Sequence, residues 1–366
     1  MTKREEEIFE VLKKEPAISQ AELASRLGIT RSSVAVHITN LLKKGYLLGK
    51  GYIVRSDPYA VVIGGSNIDI AGFPRDRLVP RDSNIGEVQI SLGGVGRNIA
   101  ENLARLGVPT RLISVVGDDL YGRRILEEAA SIGLDTRDTI VQRDRATSIY
   151  LCILDESRDM AVAINHMDSI EAISVDYIQS RRGIIENAQL CVLDTNLPGA
   201  VLDYLLSSFP NGPDFFLDPV STSKAAKVAD RVGRFHTIKP NRMEAEILSG
   251  VPIRSDGDLE KCAALLHDRG VQRIYISLGQ EGVFASEAGR SRKIPNRDVR
   301  IVNASGAGDA FMAGLAYASM KGQDTFEAAQ TALAAAAIAV SHESTINPHM
   351  SETTLHTILK ESSRHV

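Results

Sequence analysis

The sequence contains few cysteines and no long apolar run, and both absences restrict the kind of protein it can be. The three cysteines, Cys152, Cys191 and Cys262, are odd in number and widely separated, which argues against a disulfide framework and a cysteine-based metal site. No apolar run reaches the roughly 18 residues that a membrane span needs. Residues 1–10 alternate basic and acidic side chains and lack the apolar core of a signal peptide. We therefore expect a cytoplasmic protein with no membrane partner.

The small net charge of −4 is the sum of two unlike segments. Residues 1–57 carry ten Lys and Arg against seven Asp and Glu, a net charge of +3, so residues 58–366 carry −7. Such an asymmetry suggests different partners for the two segments. A chain of 366 residues that is 43% hydrophobic and 24% charged is an ordinary globular protein with two or three domains, or one large domain with an appendage. We divide it between residues 57 and 58.

Residues 1–57 have the pattern of three short helices followed by a hairpin. Apolar residues recur at helical spacing in each helix. Ser19 and Thr30 stand where the second and third helices need an N-cap, and Gly28 stands where the second helix needs a left-handed end. Residues 46–54 read as a two-stranded hairpin with a glycine-containing turn.

This order of elements resembles the winged helix-turn-helix of bacterial transcription regulators over residues 3–55. The resemblance implies that the third helix enters the major groove of double-stranded DNA while the hairpin contacts phosphate. It assigns DNA contacts to Arg31, Ser32, Ser33, His37, Lys43, Lys44 and Lys50. A three-helix packing or dimerisation module would have the same apolar pattern. Because one unit of this size binds DNA poorly, we expect a homodimer.

Residues 58–366 alternate buried-strand patterns with helix patterns. The β-branched apolar runs cover residues 60–65, 112–116, 190–194, 215–218, 237–239 and 274–278. Amphipathic helical patterns cover residues 97–106, 121–132, 200–208, 242–248 and 259–268. This alternation predicts a largely parallel sheet with helices on both faces. Four runs break the alternation and predict a smaller antiparallel sheet: residues 87–92, 139–141, 148–154 and 160–164.

Glycine clusters lie where the predicted strands end, which is where ligands bind in such folds. None has the spacing of a P-loop, and the cluster at residues 93–96 lacks the third glycine of a dinucleotide fingerprint. The segment Gly306-Ala307-Gly308-Asp309 precedes a predicted helix. Its backbone N–H groups can converge on a phosphoryl group, and Asp309 can accept a proton from a hydroxyl. An ordinary helix start, with Asp favoured by the helix dipole, has the same pattern.

The segment 306–309, together with Gly93-Gly94-Val95-Gly96-Arg97-Asn98, resembles the two signatures of the ribokinase (phosphofructokinase-B) family of sugar and nucleoside kinases. The family's Asn-x-x-Glu motif is similar to residues 241–244. The resemblance covers about residues 60–362. It implies a ribokinase-like layered α/β/α domain with a small β lid, preceded here by the winged helix-turn-helix unit. It also implies phosphorylation of a nucleoside hydroxyl by ATP with Mg²⁺.

The resemblance assigns a role to each matching position. It implies that Asp309 is the base and that the N–H groups of Gly306, Ala307 and Gly308 stabilise the transferred phosphoryl group. It assigns substrate contacts to Asn67, Asp69, Gly93, Gly94, Asn98, Thr147 and Asn165. It assigns nucleotide contacts to Asn241, Gly279 and Asn347, and Mg²⁺ held through water to Glu244 and Asn241. Simpler alternatives are a turn for Asp69, a solvated helix position for Glu244, and strand hydrogen bonding for Thr147 and Asn165.

Finer similarity points to the pseudouridine kinase branch of the family. It rests on residues 65–72, 92–100, 163–165, 217–221 and 236–246, and it implies phosphorylation of the 5′-hydroxyl of pseudouridine. A related kinase for inosine, guanosine or a free sugar stays open, as does a transcription regulator whose kinase-like domain only senses its ligand. One position departs from the common family pattern: Asn303 stands where many members have Asp, which makes dependence on a monovalent cation such as potassium doubtful.

Overall fold

The computed structural model describes residues 1–16, 18–47, 58–210 and 212–362, with side chains as far as residue 360. It divides into two compact units, Met1–Pro58 and Tyr59–Val366, which we call unit 1 and unit 2. None of the helices in the described ranges is both long enough and apolar enough to cross a membrane.

Unit 1 contains the three expected helices, α1 (Lys3–Lys14), α2 (Gln20–Leu27) and α3 (Arg31–Lys43). The Ser19 hydroxyl accepts the Glu22 N–H at 3.2 Å, and the Thr30 hydroxyl accepts the Ser33 N–H at 3.1 Å. Gly28 ends α2 with φ 63°. The predicted helix starts and the glycine turn are therefore confirmed. The hairpin predicted over residues 46–54, including Lys50, lies outside the described residues apart from residues 46 and 47.

The apolar stripes of the three helices meet in a common core. Its buried members are Ile8, Leu12, Ile18, Leu23, Ala24, Val34, Ile38, Leu41 and Leu47. Since burying one such aliphatic side chain contributes about 1.5–3 kcal/mol, this core explains how a short segment packs as a unit of its own.

Unit 2 has fourteen strands in its described residues. They are β1 (Ala60–Ile63), β2 (Asn67–Pro74), β3 (Gly86–Gly93), β4 (Thr110–Ile113), β5 (Val115–Gly117), β6 (Ile140–Gln142), β7 (Ile149–Leu154), β8 (Met160–His166), β9 (Leu190–Asp194), β10 (Asp214–Asp218), β11 (Thr237–Ile238), β12 (Arg273–Ser277), β13 (Val283–Glu287) and β14 (Arg290–Ile294).

The helices of unit 2 lie mostly between these strands. They are α4 (Val95–Arg105), α5 (Leu120–Ser131), α6 (Val175–Ser180), α7 (Arg182–Glu186), α8 (Gly199–Ser208), α9 (Thr222–Ala225), α10 (Arg242–Ser249), α11 (Asp256–Asp268), α12 (Ala307–Met320), α13 (Thr325–Val340) and α14 (Glu352–Ser362). Three 3₁₀ segments cover Asp168–Ala172, Ala226–Arg234 and Gly279–Glu281.

Eight strands form the main sheet in the order β14-β13-β12-β11-β10-β9-β1-β4. The six strands from β12 to β4 are parallel, as the alternation of strand and helix patterns predicts. Strands β13 and β14 add an antiparallel edge that the sequence analysis did not predict. The β14 segment is mostly exposed and reads Arg-Ser-Arg-Lys-Ile, so it carries little of the apolar signal of a buried strand.

The main sheet is the middle of three layers. Along β1, Val61 and Ile63 belong to one buried core while Ala60 and Val62 belong to the other, because successive strand residues point to opposite faces. Helices α8, α10 and α11 contribute to the first core. Helices α4, α12 and α13 contribute to the second. The expected layered α/β/α arrangement is therefore present.

The small second sheet has the order β3-β2-β7-β8, and we call it the lid. It is not fully antiparallel as predicted, because β2 and β7 run parallel. The prediction that residues 139–141 join it is wrong, since β6 instead pairs with β5 in a separate parallel pair. A three-residue strand has too short a pattern to identify its partner. Strand β2 was not predicted as a strand, because its segment mixes polar and glycine residues with apolar ones.

Helices α12 and α13 pack closely through small side chains. A Cβ atom placed on Gly314 of α12 would lie 2.6 Å from the Cα of Ala332 of α13 and 3.1 Å from the Cβ of Ala335. Glycine at position 314 and alanines opposite it therefore let the two helix backbones approach. Helix α13, which is rich in alanine, is therefore the partner of the helix that begins at the 306–309 motif.

Candidate functional site

The glycine motifs of β1 and α4 lie backbone to backbone at the carboxyl edge of the main sheet. A Cβ atom on Gly94, where φ is 99°, would lie 2.4 Å from the carbonyl oxygen of Gly65, and one on Gly96 would lie 2.6 Å from the Cα of Gly64. Only glycine allows this approach. The buried Asp194 joins the two segments, since its Oδ2 accepts the N–H groups of Gly65 at 2.8 Å and Gly96 at 3.0 Å.

Asn67, Asp69 and Gly93 form a polar group where the lid meets the main sheet. Asn67 Nδ2 donates to Asp69 Oδ1 at 2.7 Å. A Cβ atom on Gly93 would lie 2.2 Å from Asp69 Oδ2, so the carboxylate lies directly against bare glycine backbone. Burial raises the pKa of Asp69. A carboxylate beside an amide offers the acceptors and donors that two neighbouring sugar hydroxyls require.

Asp309, at the start of α12, contacts the second glycine motif. Asn98 of α4 donates from Nδ2 to Asp309 Oδ2 at 2.8 Å, so the two signatures of the sequence meet in one hydrogen bond. Burial, with the negative charge of Asp218 adding to it, raises the pKa of Asp309 to about 7. A partly buried carboxylate with this pKa is well suited to take a proton at neutral pH.

Lys239 brings a positive charge to the same place. Its Nζ lies 2.8 Å from Asp218 Oδ2 and donates to the Gly308 carbonyl oxygen at 3.3 Å. Although burial acts in the opposite direction, the carboxylates of Asp218 and Asp309 raise the pKa of Lys239. The ammonium group therefore stays protonated beside the start of α12.

The first turn of α12 has free backbone donors. Gly306 is the N-cap, with φ 77°, and it supplies no side-chain cap. Within the part of the chain that the structure describes, the N–H groups of Gly306, Gly308 and Asp309 have no acceptor, and the N–H of Ala307 reaches Ala304 O at 3.4 Å. Converging donors at a helix start attract an anion. This arrangement fits a phosphoryl group.

Asn241 and Glu244 hold each other at the start of α10. Glu244 N–H donates to Asn241 Oδ1 at 2.9 Å, and Asn241 N–H donates to Glu244 Oε2 at 2.8 Å. Burial raises the pKa of Glu244. The described residues contain no group of three or more His, Cys, Asp or Glu side chains able to hold a metal. The oxygen and amide groups of Asn241 and Glu244 are ones that suit Mg²⁺ held through water and substrate phosphates.

Two residues assigned to ligands use their polar atoms within the protein. Thr147 is fully buried; its hydroxyl bonds Asp119 Oδ1 at 2.7 Å and accepts the Gly117 N–H at 3.0 Å. Asn347 is buried, and its Nδ2 donates to Ile338 O at 2.7 Å. The fold uses these polar atoms, and the substrate contact of Thr147 and the nucleotide contact of Asn347 that the resemblance implies stay predictions.

Asn165 and Gly279 remain open to solvent. Strand pairing places Asp69 opposite Tyr150 and Tyr150 opposite Asn165, so Asn165 shares the Asp69 face of the lid two strands away. A Cβ atom on Gly279 would meet nothing within 4 Å. Both positions are accessible to solvent, and neither contacts Asp309 or Asn98 in this structure.

Sequence reasoning missed three charged residues of the site. Asp194, Asp218 and Lys239 all stand where parallel strands end, next to each other along the sheet as β9, β10 and β11. A charged residue directly after a buried apolar run was a usable signal, because the carboxyl ends of parallel strands meet at one edge.

The exposed face of α3 in unit 1 carries several of the residues expected to contact DNA. Arg31, Ser32 and Lys43 are exposed, whereas Ser33 and His37 are partly buried. Lys44 has a structural contact: its Nζ binds both carboxylate oxygens of the buried Glu5, at 2.9 and 2.8 Å. This hydrogen bond lowers the pKa of Glu5 to about 2. Lys44 is therefore less available to DNA than the sequence suggests.

Comparison with known proteins identifies the family. The profile described as pfkB family carbohydrate kinase matches residues 57–353. The chain belongs to this family. The enzyme is a phosphotransferase with an alcohol group as acceptor, and the expected ribokinase-like fold class is confirmed. A second profile, described as winged helix-turn-helix DNA-binding, matches residues 1–47 of the kinase.

Individual relatives support the same assignment. The uncharacterized sugar kinase YeiI of Escherichia coli (strain K12) is 37% identical over 96% of this chain and 97% of its own length, so the similarity extends into both units. The pseudouridine kinase of the same organism is 40% identical over 81% of this chain and 95% of its own. A solved carbohydrate kinase from Agrobacterium tumefaciens is 26% identical with a TM-score of 0.71, covering 83% of this chain and 97% of that one.

Asn303 of the kinase carries a prediction about monovalent cations. Its Nδ2 donates to Glu343 O at 2.7 Å and its Oδ1 accepts the Ser305 N–H at 2.9 Å. A neutral amide thus links two loops where a carboxylate would attract a cation. We expect turnover to change by less than about twofold when sodium replaces potassium at equal ionic strength. A tenfold or larger stimulation of turnover by potassium would contradict this prediction. It would correspond to a fall in the activation free energy on the order of 1.4 kcal/mol.

Proposed function

We propose that the kinase transfers the γ-phosphoryl group of ATP to the 5′-hydroxyl of pseudouridine, giving pseudouridine 5′-phosphate and ADP. The main support for this reaction is the hydrogen bond between Asn98 and Asp309. It places a residue assigned to the substrate beside a carboxylate with a pKa of about 7. Similarity to the pseudouridine kinase at 40% identity supports the choice of nucleoside.

In this proposal the chain's own residues bind the ribose and remove one proton. Asp69 and Asn67 hold two ribose hydroxyls, and the absence of a side chain at Gly93 lets the Asp69 carboxylate lie against the backbone. Asp309 takes the proton of the 5′-hydroxyl, and the hydroxyl oxygen forms a bond to the γ-phosphorus. At the same time the bond between the γ-phosphorus and the β–γ bridging oxygen breaks. The β–γ oxygen leaves with ADP, so charge and atoms balance.

The negative charge that develops on the phosphoryl oxygens faces the start of α12. Among the described residues the N–H groups of Gly306 and Gly308 have no acceptor, which supports this role, and the Lys239 ammonium adds a positive charge nearby. The phosphate charge would be partly neutralised by Mg²⁺. Glu244 and Asn241 would hold its water ligands from the start of α10.

A substrate panel tests the proposal. Initial rates with pseudouridine, uridine, inosine, guanosine and ribose, each with ATP and Mg²⁺, should give the highest kcat/KM for pseudouridine. The uncharacterized sugar kinase is about as similar to this chain as the pseudouridine kinase is, so a free sugar is the main competitor. Turnover of ribose or a purine nucleoside with none of pseudouridine would reject the substrate and leave the kinase chemistry intact.

The pKa of Asp309 predicts how activity depends on pH. The base must be ionised, so kcat/KM should fall about tenfold per pH unit well below its pKa and level off above it, with a midpoint near pH 7. Burial and the carboxylates of Asp218 and Asp194 raise this pKa, whereas Asn98 and Lys239 lower it. Rates measured from acid to mildly alkaline pH with Mg²⁺ in excess check it. A flat profile through pH 7 would contradict the assignment of Asp309.

We also propose that unit 1 binds double-stranded DNA as part of a homodimer. The match of residues 1–47 to a DNA-binding winged helix-turn-helix and the exposed basic residues of α3 support this second function. The three-helix core would serve a dimerisation module equally well. The salt dependence of binding to DNA is therefore the measurement that distinguishes the two functions. Counterion release makes DNA binding weaken with salt in proportion to the phosphate contacts.

The double variant Arg31→Ala, Lys43→Ala should weaken binding of the full-length kinase to a mixed-sequence duplex of about 30 base pairs. Because each copy of the homodimer loses two basic side chains, the salt slope should fall by about four. The kinase rate should not change. Lys261→Ala, which removes an exposed lysine from α11 of unit 2, is the matched control and should leave the slope unaltered. An unchanged slope in the double variant would remove α3 from the DNA contact.

A further inference from the structure

Arg97 is a buried cation next to the site. It has no role in the sequence motifs or in the proposed reaction. It lies in the first turn of α4 and is only 2% exposed. Its Nη1 donates to Leu92 O at 3.1 Å and to Asn98 Oδ1 at 3.2 Å. Its Nη2 binds Glu101 and lies 3.6 Å from Glu128 Oε1. The guanidinium is thus held on several sides, and one of its partners is a residue of the site.

The contact with Asn98 decides which end of that amide faces Asp309. An amide has an oxygen that accepts and an NH₂ that donates, whereas a guanidinium only donates. Because Arg97 donates to Oδ1, the NH₂ group must point the other way, where it donates to Asp309 Oδ2 at 2.8 Å. A flipped Asn98 would set NH₂ against guanidinium and carbonyl oxygen against carboxylate, so both contacts would be lost together.

We propose that Arg97 is a positioning residue for phosphoryl transfer: by fixing the Asn98 amide it holds one oxygen of Asp309 and leaves the other oxygen free for the substrate hydroxyl. The proposal rests on the role of Asp309 as base given above. The alternative is that Arg97 only stabilises α4 through its ion pairs with Glu101 and Glu128.

A second effect of Arg97 falls on the sugar side of the site. Its positive charge partly offsets the burial that raises the pKa of Asp69. The same guanidinium therefore supports the ionised form of the carboxylate that would bind ribose hydroxyls. Because Arg97→Lys keeps the positive charge, this effect should be retained in that variant and KM for the nucleoside should change little, whereas the effect through Asn98 predicts a lower kcat.

The test compares Arg97→Lys with Arg105→Lys. Both changes keep the charge and remove a guanidinium that binds Glu101, but only Arg97 contacts Asn98. A lysine cannot bond Leu92, Asn98 and Glu101 in the same directions. We expect Arg97→Lys to lower kcat by about 10- to 100-fold, as a small misplacement of a reacting group does, and to move the pH midpoint of kcat/KM above 7. Arg105→Lys should change the melting temperature while kcat and the midpoint stay at wild-type values.

A double-variant cycle separates positioning from stability. If Arg97 acts through Asn98, then Arg97→Lys should have little effect in the Asn98→Ala background. There it should lower kcat by less than about twofold. Equal effects of Arg97→Lys in both backgrounds, or an unchanged kcat and pH midpoint with only a lower melting temperature, would overturn the proposal.

Glu101→Gln keeps the test decisive if Arg97→Lys is too unstable to assay. It weakens the same ion pair but leaves the Arg97 contact with Asn98 in place, so kcat and the pH midpoint should be retained. Loss of both in Glu101→Gln would mean that the ion pair itself is what matters, and the proposal would fail. All assays use the best substrate of the panel, so rejection of pseudouridine would not affect this test. High turnover of Asp309→Asn would reject the base itself.

Discussion

Replacing Asp309 by asparagine is expected to lower kcat about 10³-fold, within the range that a lost general base costs. The carboxamide is nearly the same size and can still bond Asn98, but it cannot take the proton of the 5′-hydroxyl. In the proposed site the nucleoside is bound by Asp69, Asn67 and the glycine motif. The Kd of the nucleoside, measured by titration calorimetry without ATP, should therefore change by less than about threefold, on the order of 0.6 kcal/mol.

The matched control is Asp324→Asn, the same substitution at the N-cap of α13, where the carboxylate accepts the N–H groups of Phe326 and Glu327. Asparagine is an equally good N-cap, so turnover and stability should stay close to wild type. If Asp309→Asn kept more than about a tenth of wild-type kcat, a loss of about 1.4 kcal/mol or less, another group would have to be the base.

Gly306→Ala is expected to have the second largest effect. The left-handed backbone of Gly306, with φ 77°, costs a non-glycine residue about 1–2 kcal/mol. In addition, the new Cβ atom would lie 2.3 Å from the carbonyl oxygen of Thr345, a backbone atom that can move only with its loop. The start of α12 must therefore shift together with its free N–H groups and Asp309. A displacement of about 1 Å in a reacting group can cost about 10²-fold in rate.

Gly322→Ala separates strain from displacement. Gly322 has nearly the same backbone conformation, with φ 72°, but a Cβ atom there meets nothing within 4 Å. It lies just beyond the far end of α12, away from the site. Its replacement should lower the free energy of unfolding by about 1–2 kcal/mol and leave kcat/KM unchanged. Equal losses of kcat/KM in the two variants would show that backbone strain, and not the contact with Thr345, is responsible.

The fold could be predicted where periodicity was strong. The parallel strands β1, β9, β10 and β12 are apolar runs that need no partner to be recognised, and helix starts such as Thr30 carry their own capping residue. The prediction failed for elements defined by distant pairing. Strand β6 has three residues, and only its contact with β5 shows which sheet it joins.

The site could be predicted where a motif carries the chemistry, and not where hydrogen bonding decides availability. Asn98 and Asp309 lie far apart in the sequence and meet as the two signatures imply. In contrast, Thr147, Asn347 and Lys44 have suitable side chains that the fold uses elsewhere. A sequence gives the type of a polar group but not the number of its free lone pairs or protons, because those depend on tertiary contacts.

Because Gly314 lies in close contact with Ala332, only small side chains are accepted at positions well away from the reacting groups. Gly314 lies five residues along α12 from Asp309, about 7.5 Å at the rise of an α-helix. A larger side chain at either position would push α12, which begins at the Asp309 motif, away from α13. Directed evolution of this enzyme toward other substrates should therefore find few tolerated changes where α13 faces Gly314, although no residue that we assign to substrate, nucleotide or Mg²⁺ lies in that helix.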